Sequence, residues 1–143
     1  MQLPTVVQNE VADAPDSAGL PAVTLPTFTS PDPLVGNAAT NIETAIPGSV
    51  NGVGIPIGNT ALGLSSDADI ALKIGDIVEV KSGGGKGTLT QVKNQQRILG
   101  NSGEVLVYGP NLKGSVVNWL KSNGIKVFTD LNDLISYIKS KGN

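Results

Sequence analysis

Asp69, Glu79 and Lys81 are the residues of this 143-residue chain whose types and spacing suit chemistry. Glu79 lies in an apolar run at residues 77–80, and Lys81 directly follows it. On a strand, side chains two apart leave the same face. Glu79 and Lys81 therefore enter one site while Val78 and Val80 turn to the core. A second apolar run occupies residues 70–74, and Gly75-Asp76 between the two reads as a tight turn. Asp69 heads this first strand, ten residues before Glu79. A hairpin of that length brings it back beside Glu79, because opposed residues sit about 5 Å apart.

Two adjacent carboxylates repel, and one is driven toward protonation unless a cation stands between them. Oxygen ligands with retained waters suit Mg²⁺ or Mn²⁺. A lysine beside such an ion orients or helps deprotonate a water and stabilises charge developing on phosphate. Asp, Glu and Lys around a hard cation point to phosphodiester hydrolysis. The competing reading is an ordinary hairpin with solvated charges.

Composition removes several alternatives. The chain has no Cys and no His. Thiol catalysis, a Ser-His-Asp triad, histidine bases and Cys/His zinc sites are excluded. No apolar run is long enough to span a bilayer, and the first residues lack a basic-then-apolar signal pattern. The net charge of −2 conceals a division. Residues 71–143 hold all ten Lys and Arg and five acids, 10 − 5 = +5, whereas residues 1–70 hold seven acids and no base, −7. A basic half of this kind suits a polyanion, although surface lysines also serve solubility.

The elements that must position the three residues follow from punctuation and periodicity. Residues 1–29 carry Pro4, Pro15, Pro21 and Pro26 without periodicity, and read as an extended or disordered linker. Residues 30–143 form the domain. Asp32 caps a helix with Pro33 in its first turn. Leu34, Val35, Ala38, Ala39, Ile42, Ala45 and Ile46 recur at helical spacing, and Pro47-Gly48 ends the run. Residues 49–66 read as a Gly-rich connection with a short edge strand at 53–57, or as a flexible docking loop. Residues 82–87, SGGGKG, allow close backbone approach to a phosphate or form a plain turn. They lack the nucleotide-triphosphatase loop pattern because Gly87 follows Lys86. A helix spans 88–99, with Leu89, Val92 and Leu99 inward, Gln91, Lys93, Gln95 and Arg97 elsewhere around it, and Gly100 closing it. Strands at 104–108 and 125–129 flank a helix at 115–123. Asp130 caps a last helix with the stripe Leu131, Leu134, Ile135 and Ile138. Trp119, the only Trp, is expected in the core. This order fits an α/β fold: a mixed sheet with helices on its faces.

Asp69 followed by Glu79-Val80-Lys81 resembles the PD-(D/E)xK motif of the restriction-endonuclease-like nucleases, with Ala68 where that family often has Pro. Gln91 and Gln95, one helical turn apart, resemble the QxxxQ element that often follows its ExK strand. The resemblance runs from about residue 67 onward. It implies a restriction-endonuclease-like core with flanking helices, ordered αβββαβ if residues 53–57 supply a strand. It implies Mg²⁺ or Mn²⁺ at Asp69 and Glu79, with Glu43 from the first helix as a third ligand or else facing solvent. Lys81 would act on the water and phosphate, and Gln91 and Gln95 would orient Lys81 or touch the substrate backbone.

A small catalytic domain behind a Pro/Ala-rich lead also looks like the toxin tip of a polymorphic toxin of the contact-dependent growth inhibition (CdiA) type. That implies secretion or cell-surface delivery, action in a target-cell cytoplasm on tRNA or DNA, and a dedicated immunity protein. The alternative is a non-catalytic α/β module that binds nucleic acid or protein.

Overall fold

The computed structural model describes residues 27–142, so most of the expected linker lies outside the described residues. Its last residues are anchored rather than free. The Phe28 N–H donates to Thr40 Oγ1 at 3.0 Å, and the Phe28 ring packs on the core.

Helix α1 (Pro33–Ala45) begins where local chemistry requires. Asp32 accepts from the Leu34 N–H at 2.9 Å, and Pro33 needs no donor in the first turn. Three strands follow: β1 (Val50–Asn59), β2 (Leu64–Leu72) and β3 (Ile77–Val80). Then come α2 (Thr88–Leu99), β4 (Val105–Tyr108), α3 (Gly114–Ser122), β5 (Lys126–Phe128) and α4 (Leu131–Ser140). The five strands make one mixed sheet in sequence order. The pairs β1–β2 and β2–β3 are antiparallel, and β3–β4 and β4–β5 are parallel. Helices cross over between the parallel strands because such strands cannot be joined by a tight turn. The chain is therefore an α/β protein with a mixed sheet and flanking helices, as expected.

Alternation along the central strands sorts the two faces. Val78 and Val80 of β3, with Leu106 and Tyr108 of β4, join α1 and α4 in one buried cluster. Ile77, Val105 and Val107 face the other way, toward Val92 of α2 and Leu120 of α3. Fully buried side chains such as Ile70 and Leu106 contribute about 1.5–3 kcal/mol each.

Two expectations need correction. Residues 49–66 are not a loop with a short strand. They form the ten-residue β1, a turn closed by Leu62 N–H on Asn59 at 3.2 Å, and the start of β2. The half-buried Val53, Ile55 and Ile57 drive that pairing. Pro56 is tolerated because β1 is an edge strand with no outer ladder to feed. The first strand of the site hairpin also lies further toward the N-terminus than residues 70–74. Residues 73–76 turn, with Gly75 at φ 102° and Ile74 exposed.

Asp76 anchors that turn. It is buried, its Oδ1 accepts the Glu104 N–H at 2.8 Å, and its Oδ2 meets Lys141 Nζ at 2.6 Å. Lys141 also meets Glu104 at 2.9 Å, so the end of α4 is tied to the sheet. Asp76→Ala is expected to lower unfolding free energy by about 2–3 kcal/mol, read from the urea midpoint. Lys141→Met should cost less, because the lysine is partly exposed. Equal costs would contradict this account.

Candidate active site

The pairing of β2 with β3 runs through Ala71↔Ile77 and Ile70↔Val78. Beyond it the Asp69 carboxylate, through Oδ2, takes the Val80 N–H at 2.8 Å. A side chain has replaced a ladder partner, and Asp69 is thereby fixed beside Glu79. Asp69 comes beside Glu79 as expected, but through the four-residue turn at 73–76 and not through a tight turn at Gly75-Asp76.

Glu79 points away from the cluster that holds Val78 and Val80, toward α2. It is 2 % exposed, an unusual burial for a carboxylate. Three donors surround it. Gln91 Nε2 donates to Oε2 at 2.7 Å, Gln95 Nε2 donates to Oε1 at 3.0 Å, and Lys81 Nζ lies 3.5 Å from Oε2. Lys81 Nζ in turn donates to Gln91 Oε1. Gln91 is thus a clamp between the two charged groups, accepting from one and donating to the other. Sequence spacing supplied this: Gln91 and Gln95 are four apart, so both side chains leave one face of α2.

Burial pushes the Glu79 carboxyl up to about 7. The Gln95 hydrogen bond opposes that rise, the Asp69 charge adds to it, and the Lys81 charge opposes it. Asp69 therefore acts on Glu79 electrostatically, as two close carboxylates must.

Gln95 departs from expectation. A glutamine among Leu89, Val92 and Leu99 reads as lying away from the inward positions of α2, yet Gln95 is fully buried. Its place three residues after Val92 puts it on the buried stripe of Thr88, Val92 and Ile98, and that spacing is the signal for it. Its amide nitrogen also donates to Ser66 Oγ and to the Asp67 carbonyl, both at 3.3 Å. Gln95 thereby ties β2 to Glu79 of β3. Its Oε1 is buried without a partner, so the amide is held nitrogen-first by the acceptors around it.

Glu43 is not brought to the pair, and it does not face solvent either. It is buried, with Oε1 accepting the Val50 N–H at 3.0 Å and Oε2 accepting the Gly48 N–H. It closes the connection from α1 to β1. Among the described residues, no group of three His, Cys, Asp or Glu side chains is gathered.

No known protein family, curated protein or solved structure matches this chain.

The donor set fits a hard divalent cation with few protein ligands. Asp69 and Glu79 supply adjacent carboxylate oxygens. Burial has made the Glu79 charge costly, and a cation relieves that cost as a proton does. Magnesium keeps several waters and accepts one or two carboxylates, so two suffice.

Trp119 and the glycine loop lie beside the site, and only the first departs from expectation. Trp119, expected in the core, is 59 % exposed. The stripe of α3 that turns inward is Val116, Val117 and Leu120, and Trp119 lies outside it. The loop at 82–87 is not slack. Its Gly84 carbonyl accepts the Lys113 N–H at 3.2 Å, and its Ser82 carbonyl accepts from Asn111 Nδ2 at 3.2 Å. Gly85 has φ 94°, and a side chain there would run into Leu112 and Val116. Glycine is required at that position. Among the described residues, no helix is long and apolar enough to cross a membrane.

Proposed function

We propose that this protein is a metal-dependent nuclease of the restriction-endonuclease-like type, cutting tRNA or DNA by phosphodiester hydrolysis. The observation that carries the reading is the assembly of Asp69, Glu79 and Lys81 where β2 leaves β3, locked from α2 by Gln91 and Gln95. The helix and strand order αβββαβ, now including β1, supports the same reading. So does the confinement of all ten basic residues to positions 71–143.

Asp69 and Glu79 would hold Mg²⁺ or Mn²⁺, which supplies Lewis-acid polarisation of a phosphoryl oxygen and a more acidic water. Lys81 is the cation of the site that can meet developing negative charge on the phosphate. Gln91 holds Lys81 beside Glu79 and fixes its direction of approach. Gln95 keeps Glu79 turned toward the site while tying down Ser66 and Asp67. Resemblance to the toxin tip of a CdiA-type effector extends the proposal to delivery into a target cell and neutralisation by an immunity protein.

The test is cleavage of plasmid DNA and, separately, of total tRNA, with Mg²⁺ or with EDTA. Wild-type protein should cut one substrate only with the metal, and Lys81→Ala should lose at least about a hundredfold in rate. A folded wild-type protein that cuts neither substrate would sink the nuclease reading in favour of a binding module.

A further inference from the structure

Three residues after Lys81 the chain reaches a groove of about 560 Å³ between the glycine loop and α3. That volume lies within the range of small-ligand pockets, roughly 300–1,000 Å³. Its wall runs from Gly84 to Thr90, and Lys113, Val116, Trp119 and Leu120 complete it. Lys86 and Lys113 are exposed, and among the described residues no acidic one lines the groove. Gly87 caps α2 without a side chain; the Thr88 N–H donates to the Gly85 carbonyl at 3.1 Å, which leaves the Leu89 and Thr90 amides of the first turn without a side-chain acceptor. The groove is therefore lined by two lysines, by the start of α2 with its Leu89 and Thr90 amides, and by an exposed indole. Phosphate meets the first two, and an aromatic base meets the third.

We infer that this groove is a subsite for an unstacked nucleotide of a single-stranded nucleic acid, its base on Trp119 and its phosphate between Lys86 and Lys113. In a duplex both faces of an interior base are covered by its neighbours, so only an unpaired or splayed base can lie on Trp119. The inference rests on the nuclease reading for its orientation: the strand enters the groove and continues past Lys81 to Asp69 and Glu79. The substrate is then a single-stranded segment or loop rather than a continuous duplex.

Trp119 is the only Trp, so its emission reports this groove and nothing else. Asp69→Asn protein in EDTA, where no cutting occurs, is titrated with a thymidylate oligonucleotide of about ten residues. The same strand annealed to its complement serves as the comparison. The single strand should quench the emission to saturation, and the duplex should bind at least tenfold more weakly. By anisotropy of a labelled oligonucleotide, Trp119→Ala should weaken binding roughly ten- to a hundredfold, while Trp119→Phe keeps most of it. Lys113→Glu should weaken binding and flatten its salt dependence. Equal or tighter duplex binding, or single-strand binding that leaves the emission unchanged, overturns the subsite. Nuclease activity without a response from Trp119 removes the subsite and spares the nuclease reading. Quenching by the single strand in a protein that never cuts does the reverse.

Discussion

Asp69→Asn should give a folded protein that no longer cuts. Asp69 has two roles, and this substitution separates them. Its Oδ2 accepts the Val80 N–H at 2.8 Å, which fixes the end of the β2–β3 pairing. Asparagine keeps a carbonyl oxygen for that bond, so the melting temperature should move little. It removes the negative charge that would hold a cation beside Glu79. The expected loss of metal-dependent cleavage is at least about a hundred- to a thousandfold at saturating Mg²⁺. Asp69→Ala should lose activity and stability together, because it also strands the Val80 amide. Cleavage by Asp69→Asn within a few-fold of wild type would show that no metal charge is balanced there.

The second large effect is on stability, and its sign is unusual for a carboxylate. Burial holds Glu79 at about 7, above its ordinary 4.5. The folded state therefore prefers the protonated form more strongly than the unfolded chain does. The Glu79 contribution to stability is fully present below about pH 4.5 and is lost as pH rises through about 7. In EDTA the loss across this window should approach 3 kcal/mol, or roughly 2–4 °C in Tm per kcal/mol. The chain has no histidine, so no ordinary side chain masks this titration. Glu79→Gln should flatten the profile. Mg²⁺ at pH 8 should return the lost stability to wild type and not to the variant, because the ion replaces the proton between the carboxylates. A profile unchanged by Glu79→Gln would mean that some other group carries the titration.

These two effects depend on different layers of information. The bounds of α2 and the starts of α1 and α4 follow from neighbouring residues: Asp32 and Asp130 as caps, Pro33 in a first turn and Gly100 at an end. Capping and periodicity act over a few residues, so a linear reading resolves them. That Asp69 and Glu79 share a hairpin was legible, but its register was not: a two-residue turn at Gly75-Asp76 sets Asp69 opposite residue 82, and the wider turn at 73–76 sets Ile70 opposite Val78 and so brings Asp69 beside Glu79. The common face of Gln91 and Gln95 follows from the helical repeat.

Which faces become covered is not local. Glu43 reads as a metal ligand or a solvent-facing acid and Asp76 as a turn residue, yet each is enclosed as the acceptor for backbone amides at a buried connection. Gln95 reads as polar and outward until α2 lies across β2 and β3 and leaves it no solvent. Trp119 reads as core until Val116, Val117 and Leu120 take the inward stripe of α3. The edge strand at 53–57 was legible in the alternation of Val53, Ile55 and Ile57, but its full length, and the start of β2 within 49–66, were not, because glycines interrupt the pattern that pairing with β2 completes. The sequence by itself determined the acid, acid and lysine, the helices and the hairpin that joins them, since each rests on short-range geometry. Only the tertiary structure decided that Glu79 is buried deeply enough to hold a proton near neutrality and that Trp119 opens onto a basic groove. Both depend on which surfaces long-range packing removes from water.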